Sequence, residues 1–483
     1  MKKIIKSSKK TPTCLFHYVV FWSIVLSLQT PIFAETGASN KIEIANIDQC
    51  IQIALENNRN KQISQHDIEI AESQYRQALS AYWPQIKTEL SGLRMDQDPY
   101  FIFPEETSTY SISGMFPYPI DATVRVPQKD VKLMNRDNLI SSIQLAYPLM
   151  TGGKIDAIIK QATNAVEIAK ISARRTDLQI MYDVKRIYFA SVLANKLKQI
   201  GDEILEQFKA TLKLTEHMYQ QGSGRVKKTD FLRTKTIVST IASTLALLES
   251  NRVLAQSALT NYMGLSWKQE VILKETDIPF NPIQLELSTL VGQVYQFNPD
   301  WNQIEFALKA IEAMIKEAQS GYFPIIALIG QLTHIENAYN KGVVGPKNTD
   351  NWAIGVAVHL PLFEGFLTEN RVKEAKAKLN KLKQQQILLK EGLALQIKDT
   401  FLQINRAQTQ VMEMKQALES AEENCDLNIR AYQLDLVETK EVIDAQIFLS
   451  LVKAQYMKGV HDHAFERARL EFLMGQTIQQ QLE

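Results

Sequence analysis

The 483-residue sequence lacks an excess of charge of either sign, since 54 Lys and Arg side chains balance 53 Asp and Glu side chains. A nucleic-acid-binding protein would show a basic excess, so this balance argues against a nucleic-acid partner. The chain has only three cysteines. Neither Cys14 nor Cys50 follows a lipoprotein signature, so we expect no lipid anchor. Cys50 and Cys425 could pair in an exported protein or stay as buried thiols, and the sequence leaves both open.

Long apolar runs are lacking except near the N-terminus. Five lysines within the first ten residues precede an apolar run at residues 14–28, and a small residue, Ala34, follows. This order predicts a signal peptide over residues 1–34 and an exported mature protein. The alternative is an uncleaved membrane anchor, for which the run is short against the ~20 residues of a membrane span. We expect no transmembrane helix in the mature protein.

Motifs of catalytic sites are also missing. The sequence has no His-Glu-x-x-His, no Gly-x-Ser-x-Gly and no phosphate-binding loop. We therefore expect no catalytic residue, no cofactor and no metal site. His461 and His463 could form a metal pair, but residues i and i+2 do not share a helix face, so we expect them on the surface.

Proline is absent from two tracts, residues 149–278 and 362–483. Because proline costs ~3 kcal/mol inside a helix, both tracts can be helical. The first predicts one helix over residues 154–219, roughly 100 Å long at ~1.5 Å per residue. The second has a seven-residue repeat, which indicates a left-handed coiled coil or a helical bundle. Its large members are Ile397, Ile404, Val411, Leu418, Cys425 and Tyr432, and its smaller members are Thr400, Ala407, Met414 and Ala421.

The chain contains an internal repeat. The stretches "AYWPQI" and "GYFPII" match at a spacing of 240 residues, and "YPLMTGG" and "LPLFEGF" match at 213. We predict a first copy at residues 35–270, a linker at 271–284, a second copy at 285–478 and a tail at 479–483. Each shared proline ends a helix-like run and turns the chain toward extended geometry. The junction residues are Tyr82, Trp83, Pro84, Tyr322, Phe323 and Pro324. Their rings suit a membrane–water interface, and the alternative is that they only pack the junction.

Four segments alternate apolar and polar residues, at about 84–94, 138–147, 325–334 and 352–361. Period two over about ten residues predicts strands with one apolar and one polar face. Such strands suit a half-buried soluble sheet or a membrane barrel. Their matching places in both copies favour the barrel. The predicted fold is therefore mostly α with a membrane β-barrel, in two tandem repeats of long coiled-coil helices and four amphipathic strands per chain.

The order, spacing and duplication of these motifs resemble the TolC-type outer-membrane efflux and secretion family. The tips "YQQGSGRVKKTDFL" and "YQLDLVETKEVIDAQ" also match it. The resemblance implies a homotrimer with a 12-stranded barrel in outer-membrane lipid and a helical tunnel in the periplasm of a Gram-negative bacterium. It implies a passive exit duct of a tripartite efflux pump or a type I secretion system. The implied partners are a periplasmic adaptor (membrane fusion) protein and an inner-membrane pump of the RND or ABC type.

The resemblance also implies roles at two helix reversals, residues 219–230 and 432–441. Threefold symmetry would turn each acidic residue there into a ring that favours cations, and the alternative is a solvated surface charge. The implied pore or aperture residues are Thr229, Asp230, Tyr432, Glu441 and Asp444, and the implied adaptor-docking residues are Gly222, Gly224, Asp435 and Leu436. Val437 replaces the family's usual basic residue, so the resemblance does not extend to a salt-bridge lock at the aperture. Asp435 replaces the usual tip glycine, and the first tip is longer and adds Arg225, Lys227 and Lys228, which leaves the adaptor and docking geometry open.

Two questions stay open at this point. The loop at residues 95–137 is rich in proline and aromatic residues and is expected outside the cell, as a lid, a phage-binding surface or a variable loop without a dedicated role. The cargo could be a drug, a metal ion or a polypeptide. The rival function is a soluble or peripheral periplasmic coiled-coil tether, which would not explain four amphipathic strands in symmetric places.

Overall fold

The computed structural model describes residues 41–114, 117–222, 226–275, 277–284, 286–339, 341–344 and 348–476. The predicted signal peptide, Gly224 and the predicted tail lie outside these residues. The first half contains β1 (Lys41–Ile44), α1 (Ile47–Asn57), α2 (Arg59–Leu79), β2 (Gln85–Arg94), β3 (Tyr100–Phe103), β4 (Glu106–Ile112), β5 (Ile120–Val126), β6 (Lys129–Lys132), β7 (Asp137–Met150), α3 (Lys154–Gln220), α4 (Lys228–Tyr262) and β8 (Glu270–Leu273). The second half contains α5 (Leu287–Phe297), α6 (Pro299–Gln319), β9 (Ile325–Asn337), β10 (Asp350–His359), α7 (Leu367–Gln433) and α8 (Thr439–Met474).

The long helices follow the proline-free tracts. α3 and α7 each run for 67 residues, and each turns back at its far end into α4 or α8. The prediction of one helix over residues 154–219 is confirmed. The seven-residue repeat on α7 is the packed seam of this hairpin, because most of its members are buried. The buried members are Ile397, Thr400, Ile404, Ala407, Val411, Ala421, Cys425 and Tyr432.

Two asparagines begin equivalent helices in the two halves. Asn58 caps α2 and Asn298 caps α6, and each side-chain oxygen accepts a backbone N–H of the following turn. Each side-chain amide then donates to the end of a distant helix, Asn58 to the Tyr262 carbonyl at 2.8 Å and Asn298 to the Leu473 carbonyl at 2.7 Å. The same residue type therefore joins the same two elements in both halves, as expected for a repeat.

Two glycines beside these hydrogen bonds allow the backbones of the two segments to approach closely. Gly264 follows α4 and Gly475 follows α8, with φ of 74° and 72°. A Cβ at Gly264 would lie 2.4 Å from the Asn57 carbonyl oxygen, and a Cβ at Gly475 would lie 2.4 Å from the Phe297 carbonyl oxygen. Only glycine combines a positive φ with so close an approach.

The main core lies midway along the helices. It packs α1, the parallel pair β1–β8, α3, the end of α4 and part of α8 around Val184, Leu259 and Met263. A second core joins α5, α7 and the end of α8 around Ile397, Ile404 and Leu470. Both cores lie beside the predicted linker, so the two halves share one packed region.

His463 lies in this region and not on the surface. Its side chain is 1% exposed, its ring meets the Phe280 ring at 4.9 Å between centroids, and neither ring nitrogen has a hydrogen-bond partner. Burial, and then the positive charge of Arg467, lower the pKa of His463 to about 4. The surface expectation was wrong because the linker covers this face of α8, and the local sequence of α8 carries no sign of that cover.

Cys50 and Cys425 are both buried free thiols. Burial raises the pKa of the Cys50 thiol to about 12, which keeps it protonated. Of the two possibilities that the sequence left open for this pair, the structure has the unpaired one.

One described helix, α4, is long and apolar enough to cross a membrane by length and composition. α4 packs lengthwise against α3 as an antiparallel hairpin. Only 11% of its most apolar window is buried within this chain, and Leu247 and Leu254 are 61% and 68% exposed. A single helix of such length and composition is weak grounds for a membrane span.

Candidate functional site

Four strands form one antiparallel sheet in the order β10–β9–β7–β2. The predicted alternating segments are these strands. β7 pairs with β9 across the two halves of the chain, so the sheet unites both copies. Its outer strands, β2 and β10, each have one edge without a partner strand within the described chain. Unpaired edges present open backbone N–H and C=O groups, which are costly in lipid.

One face of this sheet is apolar across all four strands. The register aligns Ile86 with Leu145, and aligns Ile143 with Leu332 and Leu332 with Trp352. Because cross-strand partners share a face, these residues form one surface. Trp352 is 76% exposed and Ile354 is 65% exposed. A broad exposed apolar surface on a sheet matches the lipid-facing band of a membrane barrel.

The opposite face is polar. Lys87 pairs with Gln144, and Gln144 pairs with Gln331, so these three side chains lie in one row across the sheet. The next row places Glu89, Ser142 and Thr333 together. Side chains that hydrogen-bond with water suit the inside of a water-filled barrel.

The helix-to-strand junctions have the same construction in both copies. A short 3₁₀ turn, Ser80–Tyr82 or Ser320–Tyr322, ends the helix, and Pro84 or Pro324 directly precedes the strand. The four junction rings are between 46% and 70% exposed: Tyr82, Trp83, Tyr322 and Phe323. They border the apolar face, where amphipathic rings would meet a membrane–water interface.

Specific contacts fix these junctions. The Tyr82 hydroxyl donates to the carboxylate of Asp156 in the first turn of α3. In the other copy, the Phe323 Cβ lies 2.6 Å from where a Cβ at Gly152 would be. The first contact reaches α3 and the second reaches the turn just before it, so the chain around the start of α3 lies against both junctions.

The second tip, between α7 and α8, is a tight turn. Asp435 has a φ of 58°, a left-handed conformation that favours glycine, and its backbone N–H donates to the Tyr432 carbonyl at 3.0 Å. The family's usual glycine would adopt this conformation without strain. Leu434 and Leu436 are 70% and 67% exposed at the turn. These leucines give the tip an apolar end.

The first tip, between α3 and α4, carries other features. Gly222 has a φ of 75°, and Thr229 is exposed. The Asp230 carboxylate accepts the Lys227 backbone N–H at 2.9 Å, so Asp230 caps the start of α4. The aperture role of Asp230 stays a prediction, and its capping role is visible.

Tyr432 does not line a free surface. Its side chain is 2% exposed, and its hydroxyl lies 2.9 Å from the hydroxyls of Thr215 and Thr439. A side chain buried within one chain cannot be uncovered by adding further copies. The structure shows that Tyr432 joins α3, α7 and α8 within one chain, and its aperture role stays a prediction.

The acidic positions differ in their surroundings. Glu441 and Asp444 are both exposed on α8. Asp444 lies 3.6 Å from the Arg233 guanidinium of α4. Sequence reasoning missed this cation, which offsets part of the charge that Asp444 would bring to a ring.

A second buried polar contact lies beside Tyr432. The Gln446 side-chain amide donates to the Thr211 hydroxyl at 3.1 Å, and both side chains are at most 7% exposed. Thr211 and Thr215 are spaced i, i+4 on α3 and therefore share a face. That spacing is the only sequence signal for this contact, because the partners on α7 and α8 lie more than two hundred residues away.

Comparison with known proteins agrees with this geometry. The chain is 21% identical over 332 residues to the toluene efflux pump outer membrane protein TtgC of Pseudomonas putida, covering 68% of this chain and 62% of that relative. It is 24% identical over 365 residues to the probable outer membrane lipoprotein SilC of Salmonella typhimurium, covering 73% and 68%. The chain thus spans less than two thirds of the length of TtgC.

The fold also matches a solved structure. The outer membrane protein VceC from Vibrio cholerae superimposes with a TM-score of 0.68 at 18% identity, covering 89% of this chain and 96% of VceC. The family model described as outer membrane efflux protein matches residues 134–265 and 290–476. These stretches span both long hairpins and most of the sheet. The chain belongs to the outer membrane efflux protein family.

Proposed function

We propose that three copies of this chain form an exit duct through the outer membrane of a Gram-negative bacterium. The observation that carries this proposal is the four-stranded sheet. It has one apolar face, one polar face and, among the described residues, an edge without a partner strand on each side. A sheet of this kind can reside in lipid only if it closes into a barrel, because open edges leave backbone groups unsatisfied.

Closure by symmetry supplies the missing partners. The β2 edge of one copy would pair with the β10 edge of the next, and three copies would give 12 strands. With strands ~4.8 Å apart and tilted by ~40°, such a barrel has a backbone radius of about 12 Å. A barrel of this width leaves room for water beside the polar face, as conduction requires.

The helical hairpins would continue the duct into the periplasm. Their tips would narrow it, with the exposed acids Glu441 and Asp444 facing the passage as three-membered rings. The pairing of Asp444 with Arg233 makes Glu441 the stronger contributor to a cation preference. Thr229 and Asp230 would lie at the same level on the first tip.

The duct itself has no energy source, so we propose that it acts with a periplasmic adaptor and an inner-membrane pump of the RND or ABC type. The adaptor would dock on the tips, at Gly222, Gly224, Asp435 and Leu436. The exposed Leu434 and Leu436 provide apolar contact area for such docking. The relatives' names, a toluene efflux pump protein among them, support small-molecule efflux above type I secretion.

The test is the conductance of the detergent-purified protein in planar bilayers. We expect small, cation-selective channels and a trimer by mass. The double variant Glu441→Gln/Asp444→Asn should lose most of the cation selectivity. Arg233→Gln is the matched control, since removing this cation should increase the selectivity.

Three outcomes separate the parts of the proposal. Channels whose selectivity ignores all these variants would keep the duct and overturn the acidic rings. A protein that washes off the membrane without detergent and forms no channels would favour the periplasmic tether. A trimer that stays in the outer membrane but conducts in neither parent nor variants would overturn the duct.

A further inference from the structure

A two-stranded ribbon projects from the sheet between β2 and β7. In its proximal part β3 pairs with β6, and in its distal part β4 pairs with β5. The sequence did not predict these strands, although "IDATVRV" alternates apolar with polar residues and "ETSTYSI" ends in the same alternation. A two-stranded ribbon is marginally stable alone in water, so the distal part requires another source of stability.

The two faces of the distal ribbon differ in polarity. Cross-strand pairs lie on the same face, so the register sorts the side chains. One face carries Thr107, Thr109, Ser111, Asp121, Thr123 and Arg125. The other face carries Ser108 and Glu106, which pair with Val124 and Val126, and a set of apolar residues here named the apolar strip: Tyr110, Ile112, Ile120, Ala122, Val124 and Val126.

The polar face is satisfied within its own chain. The Arg125 guanidinium pairs with the Glu105 carboxylate, and the Ser111 hydroxyl donates to the Asp121 carboxylate. The remaining members, three threonines, suit contact with water. This face therefore has the character of a solvent surface.

The apolar strip is uncovered. Tyr110 is 60% exposed, Val126 is 53% exposed and Val124 is 50% exposed. Ile112 and Ile120, directly paired, are 48% and 47% exposed. The large apolar side chains of the strip thus remain about half exposed in a single chain, which marks an interaction surface.

Membrane lipid does not cover the apolar strip in the position that the structure gives it. The ribbon begins beyond the end of the apolar face of the sheet, where polar pairs follow. Arg94 and Asp137 form an ion pair at 3.5 Å, and the Asn337 amide donates to Asn138 at 2.5 Å. Such a polar border marks the level at which the hydrocarbon ends. The apolar strip lies beyond this polar border, on the side that faces water.

The root of the ribbon is held firmly. Lys132 pairs with Asp98 at 2.5 Å and lies over the Tyr339 ring at 5.0 Å from its centroid. The Val343 backbone N–H donates to the Leu133 carbonyl at 2.7 Å. These contacts at the base of the ribbon fix the direction in which the distal ribbon projects. They thereby also fix the position of the apolar strip.

A second copy of the chain fits the strip best. The ribbon leaves the sheet at β2, the strand whose free edge would receive the next copy, so it is continuous with that interface. From Tyr100 to Ile112 the ribbon spans about 40 Å at ~3.3 Å per residue. This length exceeds the barrel radius of about 12 Å, so three ribbons can meet above the barrel.

We propose that the apolar strips of three copies pack against one another around the threefold axis and cover the outer mouth of the barrel. This inference rests on the proposed trimeric duct. It assigns the paired strands β3–β6 and β4–β5 a role as a cover that closes by contact between copies. The satisfied polar faces would then point outward to water.

The test uses single cysteines on neighbouring positions of β5. Val124→Cys lies on the apolar strip, Thr123→Cys lies on the polar face, and the parent protein with its two buried cysteines is the baseline. A short bismaleimide applied to isolated outer membranes should link copies through Val124→Cys and not through Thr123→Cys. On intact cells a membrane-impermeant maleimide should label Thr123→Cys at least several-fold faster.

The trimer mass of each variant in detergent is measured beside the cross-linking. Trimers without cross-links at Val124→Cys, and with equal labelling of both cysteines, would overturn the cover while leaving the duct intact. Protection of Val124→Cys without cross-links would mean that another molecule covers the strip, which also overturns contact between copies. Absence of a trimer in the parent would instead overturn the proposed function.

Discussion

The Tyr432 hydroxyl lies 2.9 Å from the Thr215 hydroxyl, and this contact joins the two helical hairpins of the chain near their tips. The same Tyr432 hydroxyl lies 2.9 Å from Thr439 at the start of α8. All three side chains are buried. A buried polar contact in an otherwise apolar seam holds the helices in one register, because any shift leaves its members unsatisfied.

Removal of this hydroxyl should loosen the tip. We expect Tyr432→Phe to keep the ring packed and to lose about 1 kcal/mol of net hydrogen bonding. If the contact stabilises the narrow state of the tip, the open population rises about fivefold. The measurement is the open probability in planar bilayers. Tyr219→Phe is the control, since Tyr219 is 39% exposed at the other tip and should have no effect. Equal open probabilities for Tyr432→Phe and the parent would show that the contact does not restrain the tip.

Gly264 and Gly475 should be equally intolerant of substitution by alanine. Gly264→Ala and Gly475→Ala each place a Cβ 2.4 Å from a carbonyl oxygen at a positive φ. The backbone strain alone costs at least ~1 kcal/mol, and the clash adds to it. Thermal unfolding in detergent should show similar losses for both. Gly292→Ala on α5 is the control, because no atom lies within 4 Å of its Cβ position and alanine favours helix by up to ~1 kcal/mol. Unequal losses would contradict an equivalent role in the two copies.

Acid should destabilise the core through His463. Its pKa is about 4 in the folded protein against an ordinary value of 6.5, so the unfolded chain binds the proton more readily. The free energy of unfolding therefore falls as the pH falls from about 6.5 to about 4, by at most about 3 kcal/mol. Above that window this contribution is fully present.

The variant His463→Leu should flatten this part of the pH profile of thermal unfolding. His66→Leu is the control, because it makes the same substitution at an exposed imidazole and leaves the core packing intact. An unchanged profile in His463→Leu would show that other groups cause the acid sensitivity.

The two faces of β10 should respond oppositely to a charge. Val356 lies on the apolar face, and Gly355 lies on the polar face with open space at its Cβ position. Val356→Arg should cost ~2–4 kcal/mol if this face meets the middle of the bilayer, and should sharply reduce the folded protein in the outer membrane. Gly355→Arg should insert at nearly the parental level. Equal tolerance of both substitutions would contradict the assignment of the lipid-facing surface.

The long helices and the sheet strands could be predicted because their signals are local. The proline-free tracts allowed α3 and α7 to run without a break, and the alternation of Trp352, Ile354, Val356 and Val358 marked β10. Asp435 was recognised as occupying a glycine position, and its φ of 58° shows why glycine suits it. Each of these signals depends on neighbours within a few residues.

The candidate site was harder to predict. Tyr432 was assigned to the aperture by alignment, and it is buried because Thr215 of a distant helix lies against it. Arg233 was missed beside Asp444, since the two residues lie on different hairpins. The ribbon strands were missed because proline and aromatic residues around them indicated an irregular loop. The boundaries of the two copies and the aperture and docking roles stay predictions.

By itself the sequence determined the duplicated plan of this protein: where the helices run, where prolines end them, and which strand residues alternate. These properties follow from backbone sterics and short-range periodicity. Only the tertiary structure decided which seam residues meet, that His463 is covered by the linker, and that the apolar strip is left uncovered. Those outcomes depend on contacts between segments hundreds of residues apart, whose partners are chosen by packing and not by local sequence.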